Sequence, residues 1–370
     1  AALAGGRILQ SEFGEFVTPN ITPDMKTGIG SWTADDFWQA LHNGKGKGGR
    51  LLYPAFPFVN YTQVAREDAD AMYAFLKSRN AVTQENQPHR LRFPYDQRIL
   101  LSLWRAFFFK PEVFTPDMKQ TVAWNRGAYL IRGLGHCSAC HSGRNVFGAN
   151  QGNQDLSGGE MPLIHWYAPS LQSKSEASVQ SWQASDVQSL LSTGIASKAT
   201  TFGPMSEVIV NSLQYLSDTD IQSMQVYLQA LPQGKAVSED ALDSLLKTSA
   251  GINRDEMAGW IRQGSNLYMT HCASCHANDG EGVPSIYPAL KGNQALLMPQ
   301  SGNTIRIILA GGFAPATLKN PRPYSMPPLS PTLSDAEVAL ILTYVRNAWG
   351  NHASPITTAE VNQYRTAPLD

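Results

Sequence analysis

Long apolar runs are missing from this chain of 370 residues. No stretch approaches the roughly 18–20 consecutive apolar residues that would span a bilayer. The richest, Ile99 to Phe109, is interrupted by Ser102 and Arg105. An excess of charge of either sign is missing too: 29 Lys and Arg stand against 30 Asp and Glu, a formal net charge of −1. Without clustered cations a nucleic-acid partner is excluded, because binding phosphate needs them. No basic segment followed by an apolar one opens the sequence, so any leader peptide would already have been removed. Apolar residues recur throughout and make up 42% of the chain, which rules out long disorder, while 30 Gly and 23 Pro imply many turns. The length allows two or three domains.

Cysteine is also scarce, and its placement is informative. All four residues fall in two pentapeptides, Cys137-Ser-Ala-Cys140-His141 and Cys272-Ala-Ser-Cys275-His276. Two residues between the thiols and a histidine immediately after is the attachment pattern of c-type haem. Each thiol adds to one haem vinyl group, and a turn of helix brings the following His beneath the iron. A zinc ribbon is the competing reading, but its cysteine pairs lie roughly 15–20 residues apart, far closer than Cys137 and Cys272. A thioredoxin-like dithiol does not call for the trailing His and sits in a βαβ pattern that is not evident here.

The chain repeats itself, and the repeat points to the second iron ligand. Methionine opposite histidine raises the potential of an electron-transfer haem. Met205 follows the first motif in Phe202-Gly203-Pro204-Met205, and Met326 follows the second in Tyr324-Ser325-Met326-Pro327. Most methionine fills cores, but each of these two precedes a comparable helix start. Leu216-Ser217-Asp218 leads into apolar positions at Ile221, Met224, Tyr227 and Leu228. Leu333-Ser334-Asp335 leads into Val338, Leu342 and Tyr344, with Ser334 and Glu337 at capping-box spacing. In front of the motifs, Trp124 and Arg126 match Trp260 and Arg262. Each unit therefore reads helix, CxxCH, methionine loop, closing helix, the layout of a class I cytochrome c domain.

A third copy is partial. Leu52-Tyr53-Pro54-Ala55-Phe56-Pro57 precedes a helical stretch from Glu67 to Lys77, but Phe56 stands where the other units carry methionine, and no CxxCH precedes it. Phenylalanine cannot bind iron. The Cys-to-Met separation of the other units, projected back from Phe56, lands at or before the start of the sequence, so either a third motif with a third haem lies upstream, which is the favoured expectation, or this domain has lost its haem and kept its scaffold.

Nearly the whole chain resembles the multihaem, typically three-haem, cytochrome c subunits of bacterial periplasmic or membrane-bound dehydrogenases. The resemblance is carried by Thr18-Pro-Asn-Ile-Thr-Pro-Asp24, Leu52–Pro57, Trp124-Asn-Arg-Gly-Ala-Tyr-Leu130, Gly133–His141, Gly203-Pro-Met205, Met326-Pro327 and Tyr344-Val-Arg346 with Trp349-Gly-Asn351. Phe56, together with Trp166-Tyr-Ala-Pro-Ser-Leu171, is most similar to the subset paired with molybdenum hydroxylases acting on aldehydes or N-heteroaromatic acids. The resemblance implies a mostly α fold of tandem class I cytochrome c-like domains: residues 1–115 without a motif in this chain, 116–235 with Met205, 252–352 with Met326, and a C-terminal tail, 353–370, expected to lie on the surface without an apolar anchor. Two covalent haem c groups are implied, attached through Cys137 and Cys140 and through Cys272 and Cys275. The iron ligands would be His141 with Met205 and His276 with Met326.

The implied role is electron transfer from a catalytic dehydrogenase, with molybdopterin and 2Fe-2S subunits, to a quinone or terminal oxidase. The place would be the periplasm, with peripheral attachment to the outer face of the inner membrane. Rival readings are the same role beside a PQQ- or FAD-dependent alcohol or sugar dehydrogenase, and a dihaem peroxidase-like enzyme. A peroxidase needs an open iron position, whereas both motifs here have a methionine to hand. No catalytic residue is expected. His136 and His271, next to haem cysteines, are expected at the solvent or propionate side. Gly44–Gly49 should be a turn, since it lacks the Ser or Thr of a phosphate loop. The aromatic run Trp104 to Phe109 should be core.

Overall fold

The computed structural model describes the chain except for residues 152–155, 162–163, 178, 198, 233–253 and 367–370. The linker expected between the second and third domains, Gly234–Gly251, lies outside the described residues. The architecture is mostly helical, with strands confined to short ribbons. Contacts gather the chain into two compact units, Ala1–Ala139 with Arg144–Gln154, and Cys140–Gly143 with Asp155–Asp370.

The first unit opens with a hairpin, Ile8–Ser11 against Gly14–Val17, extended by Arg90–Leu91. Its first helix, Ala34–Asn43, begins at a reciprocal Thr33–Asp36 capping box and stops where Gly44 turns left-handed at φ 54°. The glycine run that follows is a turn, tied down where Lys47 Nζ donates to the Ser31 carbonyl. Leu41, Val64 and Ala69 form a small buried cluster joined by Phe37, Trp38, Phe56, Tyr61 and Met72. Phe56 is thus a packing residue. The helix Val122–Tyr129 runs into a wide π turn at Leu130–Leu134 and belongs to this unit. The reason is polar as well as apolar. Tyr129 donates to Asp68 Oδ2 at 2.5 Å and accepts from the Ala65 amide, while Asn60 Nδ2 reaches the Arg132 carbonyl and Ser138 Oγ.

The aromatic run differs from expectation. Ile99–Phe108 is a helix with Leu101 buried, Trp104 half-buried and Arg105 stacked on Phe58 and Phe109, yet Ile99, Leu103 and Phe107 face solvent at 74%, 58% and 79% exposure. With nearly every position apolar, the pattern alone names no buried side. Among the described residues, no helix is long and apolar enough to cross a membrane.

The second unit contains a hairpin, Gly159–Met161 with Trp166–Ala168, and the helices Ala184–Thr193, Pro204–Asn211 and Asp218–Gln229. Ser217 caps the last of these, at the position the sequence indicates. Then comes the long helix Arg254–His271, which crosses Asp335–Val345 so closely that a Cβ on Gly264 would lie 2.2 Å from the Leu340 carbonyl. Tyr268, Ile305, Val338, Ile341 and Leu342 form the centre of this core. Arg346 is 1% exposed and spends its guanidinium on backbone carbonyls of Leu296, Met298 and Ser354. Burial pushes its pKa down to about 10.

The C-terminal segment corrects the expectation of a surface tail. Thr358–Arg365 is a helix, opened by a Thr357–Glu360 capping box and packed on the helices Gly302–Ala310 and Asp335–Val345. Ile356 and Val361 are buried at 2% and 0%, each worth about 1.5–3 kcal/mol relative to exposure. These two side chains are the apolar anchors that the segment was not expected to have.

Candidate functional site

Both histidines of the pentapeptides end a short helix, Ser138–His141 and Ala273–His276. In the second, the amides of Cys275 and His276 both donate to the Cys272 carbonyl, at 3.1 and 3.0 Å, which winds the motif into one turn. In the first, a left-handed His136 (φ 37°) redirects the chain into the motif. Its ring packs edge-on against Tyr61 at 5.4 Å. The four cysteines stand outside any disulfide. Burial, with Cys275 beside it, pushes the Cys272 thiol up to about 11, so it is a neutral thiol near pH 7.

The two histidines share one arrangement. His141 Nδ1 lies 2.7 Å from the Pro169 carbonyl and His276 Nδ1 lies 2.9 Å from that of Pro288. A carbonyl can only accept, so Nδ1 carries the proton and Nε2 is left with a free lone pair. Burial lowers both imidazole pKa values against the opposing pull of these bonds. Neutral rings, oriented by a carbonyl at the far nitrogen, are the form in which histidine ligates a metal. A further repeat, absent from the sequence expectations, marks the acceptors: Pro169-Ser170-Leu171 and Pro288-Ala289-Leu290.

The methionines are held differently. Met205 sits in the first turn of Pro204–Asn211, behind Gly203 at φ 56°. A Cβ on Gly203 would lie 2.5 Å from the Trp166 ring, so glycine is required there on two counts. From the motif, the Gly158 amide donates to the His141 carbonyl, and the hairpin that follows carries Trp166 to this loop. Met326 lies in a two-residue strand, Ser325–Met326, paired with Gly312–Phe313. Met326 and Cys272 pack against the same core, which unites the first and last parts of the second motif.

Paired thiols, a neutral oriented imidazole and a half-buried thioether fit covalently bound haem, and the helical fold around them is that of a c-type cytochrome. A family model described as Cytochrome c matches residues 261–349. The alcohol dehydrogenase (quinone) cytochrome c subunit of Gluconobacter oxydans is 33% identical over 98% of this chain and 77% of its own length. The gluconate 2-dehydrogenase cytochrome c subunit of Pantoea cypripedii is 33% identical over 96% of this chain and 82% of its own. A nicotinate dehydrogenase subunit of Pseudomonas putida is 34% identical over 98% of this chain, which spans 30% of that protein. The chain belongs to the family of multihaem cytochrome c subunits of dehydrogenases. Its role is electron transfer beside a catalytic dehydrogenase, with covalently bound haem c as cofactor.

Proposed function

We propose that the chain binds two haem c groups, one through Cys137 and Cys140 with His141 and Met205 as iron ligands, the other through Cys272 and Cys275 with His276 and Met326. The matching Nδ1–carbonyl bonds of His141 and His276 carry this reading. When bound, haem c supplies reversible one-electron chemistry. The chain's residues do the rest: thiols anchor, proline carbonyls orient the histidines, methionine sulfur sets a high potential, and the surrounding core excludes water. The domain division into 1–115, 116–235 and 252–352 belongs to the same proposal, supported by the twofold repeat of helix, motif, methionine and closing helix.

The partner we favour is a molybdenum-hydroxylase-type dehydrogenase, with molybdopterin and 2Fe-2S subunits, acting on an aldehyde or N-heteroaromatic acid. Support comes from Phe56, the Trp166–Leu171 segment and the likeness to the nicotinate dehydrogenase subunit. A second reading, an alcohol or sugar dehydrogenase partner, is favoured by the relatives named for alcohol, gluconate and fructose dehydrogenases. The location proposed is the periplasm, at the outer face of the inner membrane, with a quinone or terminal oxidase as acceptor. The exposed apolar side of Ile99–Phe108 supports surface attachment. Purification of the natively processed protein with its bound subunits tests the whole. Co-purifying subunits that contain molybdenum, and haem attached at both the Cys137–His141 and Cys272–His276 motifs by peptide mass, are the expected result. A flavin or quinone cofactor in the large subunit would select the second reading. Haem absent from either motif would overturn the site assignment.

A further inference from the structure

The two sites are supported at opposite ends of one helix. Gly302–Ala310 carries Asn303 in its first turn, and that side chain pairs with both backbone groups of Tyr167 along one edge of its strand. The Tyr167 amide donates to Asn303 Oδ1 at 2.9 Å, and Asn303 Nδ2 donates to the Tyr167 carbonyl at 2.7 Å. Two residues beyond Tyr167 is Pro169, whose carbonyl orients His141. One turn along the same helix, buried Arg306 lies over the Trp166 ring at 5.0 Å, and that ring abuts Gly203, two residues before Met205. At the other end, the Ile308 and Leu309 carbonyls accept from Leu329 and Ser330 amides. The chain leaving the helix pairs Gly312 with Met326.

We propose that the Gly302–Ala310 helix is a positioning element shared by both haem sites, and that Asn303 is the residue through which it sets the proximal histidine of the middle site. The inference rests on His141 being an iron ligand, as proposed above. A two-bond clamp fixes the strand Trp166–Ala168 at its middle residue, Tyr167, two residues before the Pro169 carbonyl, and so steadies where that carbonyl lies. A well-placed carbonyl at Nδ1 raises the basicity of Nε2, which favours the ferric state and lowers the potential. Loosening the clamp therefore raises the potential of the middle haem and leaves the last one alone, since His276 takes its carbonyl from Pro288 in the loop immediately after its own motif.

The test compares Asn303→Ala and Asn303→Gln with Asn347→Ala in the haem-loaded protein. Among the described residues Asn347 makes one side-chain bond, to the Thr343 carbonyl at 2.9 Å, and serves as a stability control. The readouts are spectroelectrochemical potentials of both haems and the iron–histidine stretching frequency. Asn303→Ala should shift the middle reduction equilibrium about tenfold towards the ferrous state, about 59 mV for a one-electron couple, with a lowered stretching frequency. Asn303→Gln, which keeps an amide of longer reach, should shift it less. The last haem, and both haems in Asn347→Ala, should not move. An unshifted middle haem in a folded Asn303 variant, or equal shifts at both haems, would overturn the inference. His141→Ala separates the two layers. If it leaves the middle haem's ligation unchanged, the site assignment itself fails and the inference with it. If it abolishes that ligation while the Asn303 variants stay unshifted, the inference alone fails.

Discussion

The middle and last motifs contain the same chemistry assembled over different distances. At the last, His276 meets Pro288 after 12 residues. The loop between is closed by the Leu290 and Lys291 amides, which both donate to the Gly280 carbonyl. At the middle, His141 meets Pro169 after 28 residues, and the strand bearing Pro169 is clamped by Asn303, 136 residues from Tyr167 in sequence. One site is built from its own neighbourhood. The other borrows part of its frame from a helix far along the same compact unit, Gly302–Ala310. Disturbance should therefore pass from the Gly302–Ala310 helix and the last motif packed near it to the middle site more readily than in reverse.

Removing the haem attachments gives the largest expected effect. Cys272→Ala with Cys275→Ala should halve haem staining on denaturing gels. It should also melt the core that Cys272 and Met326 share, and shift the potential of the remaining middle haem. Cys137→Ala with Cys140→Ala should also halve the staining, yet leave the spectrum and potential of the last haem unchanged. Equal disturbance in both directions, read by potentiometry, would break the comparison.

Removing a distal sulfur comes next. Met205→Ala and Met326→Ala should each lower one potential, because methionine opposite histidine raises it, and each should admit carbon monoxide at one iron. If carbon monoxide binding is unaltered in either variant, another side chain holds that iron.

The C-terminal helix offers a smaller test, in stability. Val361 is fully buried beneath the helices of the last domain. Val361→Ala should cost about 2 kcal/mol, seen as an earlier thermal transition of that domain. A loss below about 0.5 kcal/mol would show that the helix contributes little to the core.

These tests bear on parts of the molecule that sequence reveals unequally. The motif helices and the Ser217 and Ser334 caps follow from local rules, so residue type and spacing suffice for them, whereas the methionines expected in loops lie in the first turn of a helix, for Met205, and in a short strand, for Met326. Thr357, Glu360, Ile356 and Val361 obey the same rules, and the helix they build could have been read. Asn303 could not, because nothing near it in sequence distinguishes it from any surface asparagine. Its role exists only once the hairpin 159–168 lies against it. Ile99–Phe108 fails for the opposite reason, since a surplus of apolar side chains leaves the buried face undetermined.

The smallest effect concerns how the chain leaves the last motif. Tyr268, four residues before Cys272, is fully buried between Tyr344 and Trp349, with ring centroids at 5.5 and 5.1 Å. Its hydroxyl donates to the Ala277 carbonyl at 2.6 Å. Ala277 follows His276 directly and is held at φ 61° and ψ 163°, a positive-φ extended conformation that costs an alanine of order 1–3 kcal/mol and persists only when its surroundings impose it. At the matching position of the middle motif, four residues before Cys137, stands Gly133, which can supply no such bond. Tyr268→Phe keeps the ring packing and removes only the hydroxyl. Ala277 is partly exposed, so its carbonyl can regain water, and the loss should be about 1 kcal/mol in a denaturant titration followed at the last haem. The middle haem should report no change. If stability is unaltered, the hydroxyl is not what holds Ala277 in place, and the two motifs leave their helices under equivalent constraint.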